Sequence, residues 1–171
     1  MKKIEYFWNI LYYGIFCCHK DTQIIIHKIT TFLFGLFITN DNRKRVYREH
    51  QNSVIRSLTD KRFSTTLMIS DIEMIALTSL FFWGSANCLT RIFPCLFLGS
   101  LNELIFIIIS AIPCLCLNYY LLWRKDKYLK YFESFEQYSK KNKEWMLISV
   151  ICCISILAFF IMSFYIIEPL K

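Results

Sequence analysis

The sequence predicts an all-α integral membrane protein: three transmembrane helices, N-terminal interfacial or amphiphilic helices, and a cytoplasmic helical extension. Three observations predict it. Apolar residues make up 56% of 171 residues and are gathered into long charge-free runs. Gly and Pro are scarce, 4 and 3, which argues against a loop-rich β fold. Basic residues cluster between some of the runs and avoid others. A disordered chain lacks this apolar mass, and a soluble domain spreads it more evenly. The length suits roughly one domain.

Residues 1–40 are read as aromatic interfacial helices. Charge-free stretches cover 6–19 and 29–40, 14 and 12 residues. Runs of about 10–14 residues lie in an interface or pack inside a protein. Tyr6, Phe7, Trp8, Tyr12 and Tyr13 give the first an aromatic, amphiphilic character suited to the headgroup region. Both are expected on the membrane or tucked under the bundle. A helical hairpin turning at residues 19–23 is the competing arrangement. Met1-Lys2-Lys3 resembles the start of a signal peptide, but no small-residue cleavage site follows, so the N-terminus is expected to be retained.

Residues 41–73 form a basic cytoplasmic segment. Stretch 41–63 holds seven basic and three acidic residues. Arg43, Lys44, Arg45 and Arg48 lead it and are candidate contacts for anionic lipid headgroups, worth about 1 kcal/mol per basic residue near such a surface. Nucleic acid is not expected, because no recognisable binding fold or aromatic platform accompanies the charge.

Residues 74–171 are the three-span membrane domain. Charge-free runs at 74–90, 104–123 and 145–167 hold 17, 20 and 23 residues. Crossing a bilayer takes about 20 apolar residues, and the backbone there must bond within itself, so these runs predict helices. Between the last two, residues 124–144 read as a cytoplasmic helix continuing from the second span. Tyr128, Tyr131, Phe132, Phe135 and Tyr138 recur at three- and four-residue steps and make one aromatic face. The N-terminal helices are its nearest partner. Pro113 predicts a kink in the second span.

Positive charge sets the orientation. Residues 1–73 hold eleven of the 20 Lys and Arg, and 124–144 hold seven; the 91–103 connection and the tail hold one each. The positive-inside rule puts the N-terminus and the 124–144 segment in the cytoplasm and the C-terminus outside.

Polar residues near the spans carry structural expectations. Ser70-Asp71-Ile72-Glu73 matches a capping box, with Ser70 as cap and Glu73 reaching back; a proton or cation site at Asp71 and Glu73 is the alternative. Arg91 and Glu103 flank the short outward turn and are expected to pair and pin the first two spans, Glu103 also being the residue to test for transport. Small residues such as Ser79, Ser85, Ala86 and Ser149 are expected at helix contacts. Eight cysteines form no CxxC motif. Cys17-Cys18-His19 cannot readily wrap one metal ion, so no metal or cofactor is expected. Cys88 and Cys95 flank the outward turn and are candidates for a disulfide.

Leu122-Trp123-Arg124-Lys125-Asp126-Lys127-Tyr128, then Phe132-Glu133-Ser134-Phe135-Glu136, and Lys140 to Trp145 leading into a last span, resemble small multi-span inner-membrane proteins of Bacteroidota. The likeness covers the second half and the Met1-Lys2-Lys3 aromatic opening; the basic 41–63 segment departs from it. It implies a bacterial inner-membrane location and no activity. His19, His27 and His50 form no convergent set, so no enzyme is expected. An accessory or interaction protein is the leading expectation, with a protein partner or a homo-oligomer. A small oligomeric transporter, channel or membrane-perturbing protein is the alternative.

Overall fold

The computed structural model describes residues 2–37, 41–92, 103–137 and 142–165, excluding the side chains of 37, 41–44, 48, 90–92 and 103–110. All described elements are helical. In chain order they are α1 (Lys2–Phe37), α2 (Asp41–Thr59), α3 (Thr65–Ile92), α4 (Glu103–Asn118), a π turn (Tyr119–Trp123), a 3-10 turn (Arg124–Asp126), α5 (Lys127–Gln137) and α6 (Asn142–Tyr165). Among the described residues, two helices are long and apolar enough to cross a membrane, Thr65–Leu89 and Asn142–Tyr165. α4 is 16 residues long and passes directly into the π turn.

α1 corrects the expectation of two separate N-terminal helices. It is one 36-residue helix, and the hairpin at 19–23 does not form. No Gly or Pro interrupts His19 to Gln23. Thr22 Oγ1 instead donates to the Cys18 carbonyl at 2.8 Å, an internal bond that suits a continuing helix. Of the two placements expected for the first stretch, on the membrane or tucked under the bundle, Asn9–Cys17 takes the second. Every residue from Asn9 to Cys17 is buried. A helix enclosed on every side belongs in a core. Of the aromatic residues that suggested a headgroup belt, Tyr12 and Tyr13 lie at the centre of the fold, while Tyr6 and Phe7 remain exposed.

Contacts with α5 and α6 are among those that hold α1 there. Tyr13 packs edge-on against Phe132 of α5 at 4.9 Å between ring centroids, and near Trp145 of α6 at 5.9 Å. Phe16 meets Phe132 at 5.2 Å, and Tyr6 meets Phe135 at 5.6 Å. The aromatic face of α5 therefore packs on α1, as its spacing suggested. On another side Gly14 meets α6 so closely that an added Cβ would lie 2.7 Å from the Trp145 carbonyl oxygen and 2.8 Å from Ser149 Cβ.

α3 and α6 run side by side in the same direction. Phe81 packs on Phe159, Trp83 on Phe160, and the Asn87 amide reaches Ser163 Oγ at 3.5 Å. Gly84 allows the approach: a Cβ there would stand 2.9 Å from the Phe159 ring. Parallel neighbours need a return leg between them, and α4 supplies it. Asn118, at the end of α4, lies against Thr78 deep inside α3.

α3 begins earlier than the run 74–90. Its cap is Ser64, whose Oγ accepts from the Leu67 N–H at 3.0 Å. This corrects the capping box at Ser70 and Glu73. Ser70 lies inside the helix, where its hydroxyl donates to the Thr66 carbonyl at 2.8 Å. Between α2 and α3, Asp60 accepts from the Arg62 N–H at 2.7 Å, and Thr66 Oγ1 donates to the Leu58 carbonyl at 2.8 Å. These close the turn.

The 124–144 helix does not continue from the second span. After the π turn, Lys125 and Asp126 adopt left-handed backbone angles, with φ of 59° and 51°. That reversal lets α5 fold back across α1. Lys127 then ties the turn shut, donating to the Tyr120 carbonyl at 3.1 Å.

Candidate functional site

The polar side chains gather where α1 crosses the ends of α3 and the π turn. Asp71 is the centre. Its Oδ1 accepts from the Tyr12 hydroxyl at 2.5 Å and from the Trp123 indole N–H at 2.8 Å. Three elements thus meet on one carboxylate oxygen. Tyr12 is fully buried, and burial pushes its phenol pKa well above the usual value, with the Asp71 charge adding to the rise. Tyr12 is therefore held as a donor.

A second node lies one step along α1. The Glu5 carboxylate accepts from Lys127 Nζ at 3.0 Å and from the Tyr131 hydroxyl at 3.4 Å. It joins the first turn of α1 to α5. On the far side of the crossing, His19 of α1 pairs with Glu73 of α3. Both side chains are about one-third exposed and border a cavity of about 160 Å³ with Cys18 and Cys153.

A third node is deeper. Asn118 is fully buried and donates to Thr78 Oγ1 at 2.9 Å and to the Cys114 carbonyl at 3.1 Å. Its oxygen accepts from the Trp8 indole N–H at 3.1 Å. Asn9, equally buried, donates to the Leu121 carbonyl at 3.2 Å and the Glu5 carbonyl at 2.8 Å. These amides occupy the loosened backbone around the π turn, where regular helix bonds are displaced.

Chemically, these nodes connect helices. The thiols beside them are subdued. Burial pushes the Cys17 thiol up to about 11, and burial also raises Cys18. Among the described residues no three His, Cys, Asp or Glu side chains stand together as metal ligands.

The residues singled out in the sequence are placed as follows. Glu73 is the His19 partner, and Asp71 is the Tyr12 and Trp123 acceptor. Arg45 is exposed on α2. The side chains of Arg43, Lys44, Arg48, Arg91 and Glu103, and all of Cys95, lie outside the described residues. Sequence reasoning missed Asn118, Asn9 and Gly14. Each had a visible signal: an amide inside an apolar run, or a glycine inside an aromatic one.

Fold and site together define a helical protein with a polar-stitched junction at one end of its apolar helices. Comparison with protein-family models, with characterised proteins and with solved structures gives no match to this chain.

Proposed function

We propose that this chain is a multi-pass protein of a bacterial inner membrane that acts as an accessory or interaction protein rather than an enzyme. Its three spans are α3, α4 with the π turn, and α6. The N-terminus, α2 and α5 face the cytoplasm, and the C-terminus faces outward. α6 supports the membrane setting. Its side chains from Leu147 to Tyr165 are very apolar, yet Leu147, Ile151, Ile154, Leu157 and Met162 are exposed. Surface of that kind calls for an apolar surrounding. The alternating course of α3, α4 and α6 agrees with an odd number of crossings, as does the basic charge in the segments before the first span and between the last two.

The observation that carries the interaction reading is a contrast along α1. Asn9–Cys17 is enclosed, but the same helix continues as an arm on which Ile25, Ile29, Phe32 and Leu36 are all exposed. Their 4-3-4 spacing makes an apolar stripe, widened by Ile26 and Leu33, the pattern that helices use to dock on one another, while Phe34 is exposed on the opposite face. α2 lies against this arm, with Thr31 donating to Gln51 at 2.8 Å, and carries the exposed Arg45. The stripe takes a protein partner or a second copy, while the basic side meets anionic lipid.

The test is purification of the full chain from carbonate-washed membranes in mild detergent, with identification of stoichiometric partners. The wild type is expected to bring a partner or to self-associate. An Ile29→Asp, Phe32→Asp double variant is expected to stay in the membrane and lose that association. A wild-type chain that is solitary and monomeric would overturn the interaction reading.

A further inference from the structure

A second cavity, of about 330 Å³, lies between α1 and the three apolar helices. Phe7 and Leu11 of α1, Leu77 and Phe81 of α3, Leu117 of α4 and Ile156 of α6 line it. The wall it exposes is apolar; of the hydroxyl residues Thr78 and Ser155 that border it, Thr78 spends its hydroxyl on the Met74 carbonyl at 2.7 Å. Water needs two to four polar partners, so this space does not hold ordered water. It is more than twice the size of a dry cavity of roughly 150 Å³ that takes up benzene. It has room for roughly ten methylenes if each fills about the 30 Å³ of a liquid water.

The mouth shows where an occupant enters. Phe7 and Phe81 both line the cavity and both remain 44% and 48% exposed, so it opens sideways between α1 and α3. Phe81 sits mid-way along the charge-free run 74–90, at hydrocarbon depth if α3 spans. One helical turn before Phe7 on the same face of α1 is Lys3, with Lys2 beside it; both are exposed. The neighbouring Glu5 does not neutralise them, since it is engaged by Lys127.

We infer that this cavity binds one acyl chain of an anionic phospholipid from the cytoplasmic leaflet, with the headgroup phosphate at Lys2 and Lys3. The inference rests on the membrane-spanning reading above. Apolar walls select the chain, the lateral mouth admits it from the bilayer, and the two lysines supply the charge that meets a phosphate. The lipid would fill the space between α1 and the spans, and so hold α1 in its groove.

The test again uses the full chain from carbonate-washed membranes, by native mass spectrometry in mild non-ionic detergent with lipid extraction. One phospholipid per wild-type chain is expected, enriched in anionic headgroups. Leu117 of α4 and Cys152 of α6 both line the cavity; Leu117→Phe and Cys152→Phe each fill it from a different helix, and both are expected to lose the lipid. Lys2→Glu with Lys3→Glu is expected to abolish the anionic enrichment. In vesicles of phosphatidylglycerol with brominated chains, Trp8 fluorescence, taken as the difference from Trp8→Phe, is expected to be quenched in the wild type and less so in Cys152→Phe. A membrane-embedded wild type that carries no lipid, only detergent, or an isoprenoid overturns the assignment, as does unchanged retention and quenching in both filled variants. A chain absent from washed membranes would instead sink the spanning reading itself.

Discussion

The crossing of α1 over α6 is a close helix contact, and replacing Gly14 by Ala measures it. An added Cβ would overlap Ser149 Oγ and would lie 2.7 Å from the Trp145 carbonyl oxygen. The hydroxyl can rotate away only by giving up its bonds to the Leu11 carbonyl at 3.2 Å and the Trp145 carbonyl at 2.8 Å. The carbonyl cannot move without α6 moving. Overpacking of this kind costs about 1–3 kcal/mol, and a lost hydrogen bond adds about 1. Against this, Ala in place of Gly favours a helix by about 0.5–1 kcal/mol. The net expectation is a loss of roughly 1–3 kcal/mol, or a fall in Tm of roughly 2–12 °C for a chain of this size. Gly35 is the control, because nothing lies within 4 Å of its added Cβ. Gly35→Ala should be neutral or slightly stabilising. Adding Ser149→Ala to Gly14→Ala removes the hydroxyl but leaves the carbonyl, so recovery should be partial. Thermal unfolding in mild detergent, followed by size-exclusion chromatography, reads all four proteins. A Gly14→Ala protein as stable as Gly35→Ala would refute the close crossing.

Other consequences follow from the polar nodes and the strained turn. Asp71→Ala leaves the Tyr12 hydroxyl and the Trp123 N–H without their acceptor and should cost about 2–5 kcal/mol, whereas Asp71→Asn, which keeps an oxygen, should cost less than about half of that; thermal unfolding compares them. Lys125→Gly relieves a left-handed residue and should stabilise by up to about 1 kcal/mol in the same assay. Cys17 should resist alkylation at pH 8 in the folded chain and react once the chain is unfolded in SDS, as mass spectrometry of labelled peptides would show. Its thiol is raised from 9.0 to about 11, and burial also raises the phenols of Tyr12 and Tyr13. The folded state holds these protons and the unfolded chain releases them at ordinary values. Folding stability should therefore be level with respect to these groups below about pH 9 and fall as pH rises beyond it, which a pH series of melting curves tests.

Periodicity and charge were enough to show helices, because they record which faces meet hydrocarbon, water or one another. The stripe Tyr128, Phe132, Phe135 was legible for that reason, and so was its partner on α1. The placement of α1 was not. An aromatic, weakly polar helix has the same composition whether it lies in headgroups or is enclosed by other helices; what differs is the shape of its neighbours. Gly14 and Asn9 were the local signs of enclosure, one for close approach and one for a buried bond. The cap was misplaced for a different reason. Ser70 and Glu73 have the right spacing, but so does Ser64 with a following apolar run, and the bond from Leu67 to Ser64 decides between them. The reversal at Lys125 and Asp126 had no signal, since neither residue favours a left-handed backbone enough to announce it.

The enclosed segment of α1 alters the meaning of the charge asymmetry. A basic N-terminal region needs only to remain on one side of a membrane to satisfy orientation. Here part of it is also built into the helical bundle. Glu5 is bound to α5, Tyr12 to α3, Asn9 to the π turn, and Leu11 and Gly14 to α6, so the cytoplasmic ends of all three proposed spans are held by one helix. The proposed spans keep much of their apolar surface exposed: 11% of the most apolar window of α6 and 33% of that of α3 are inside the protein. Helices that keep so much of it exposed gain little from lipid-excluded packing, because the lipid tails are as apolar as the side chains they replace. Their arrangement must then come chiefly from the polar and aromatic junction at one end. On this argument α1 is the element that fixes the order of the bundle, and its exposed arm can report on that order, because it is a rigid continuation of the same helix.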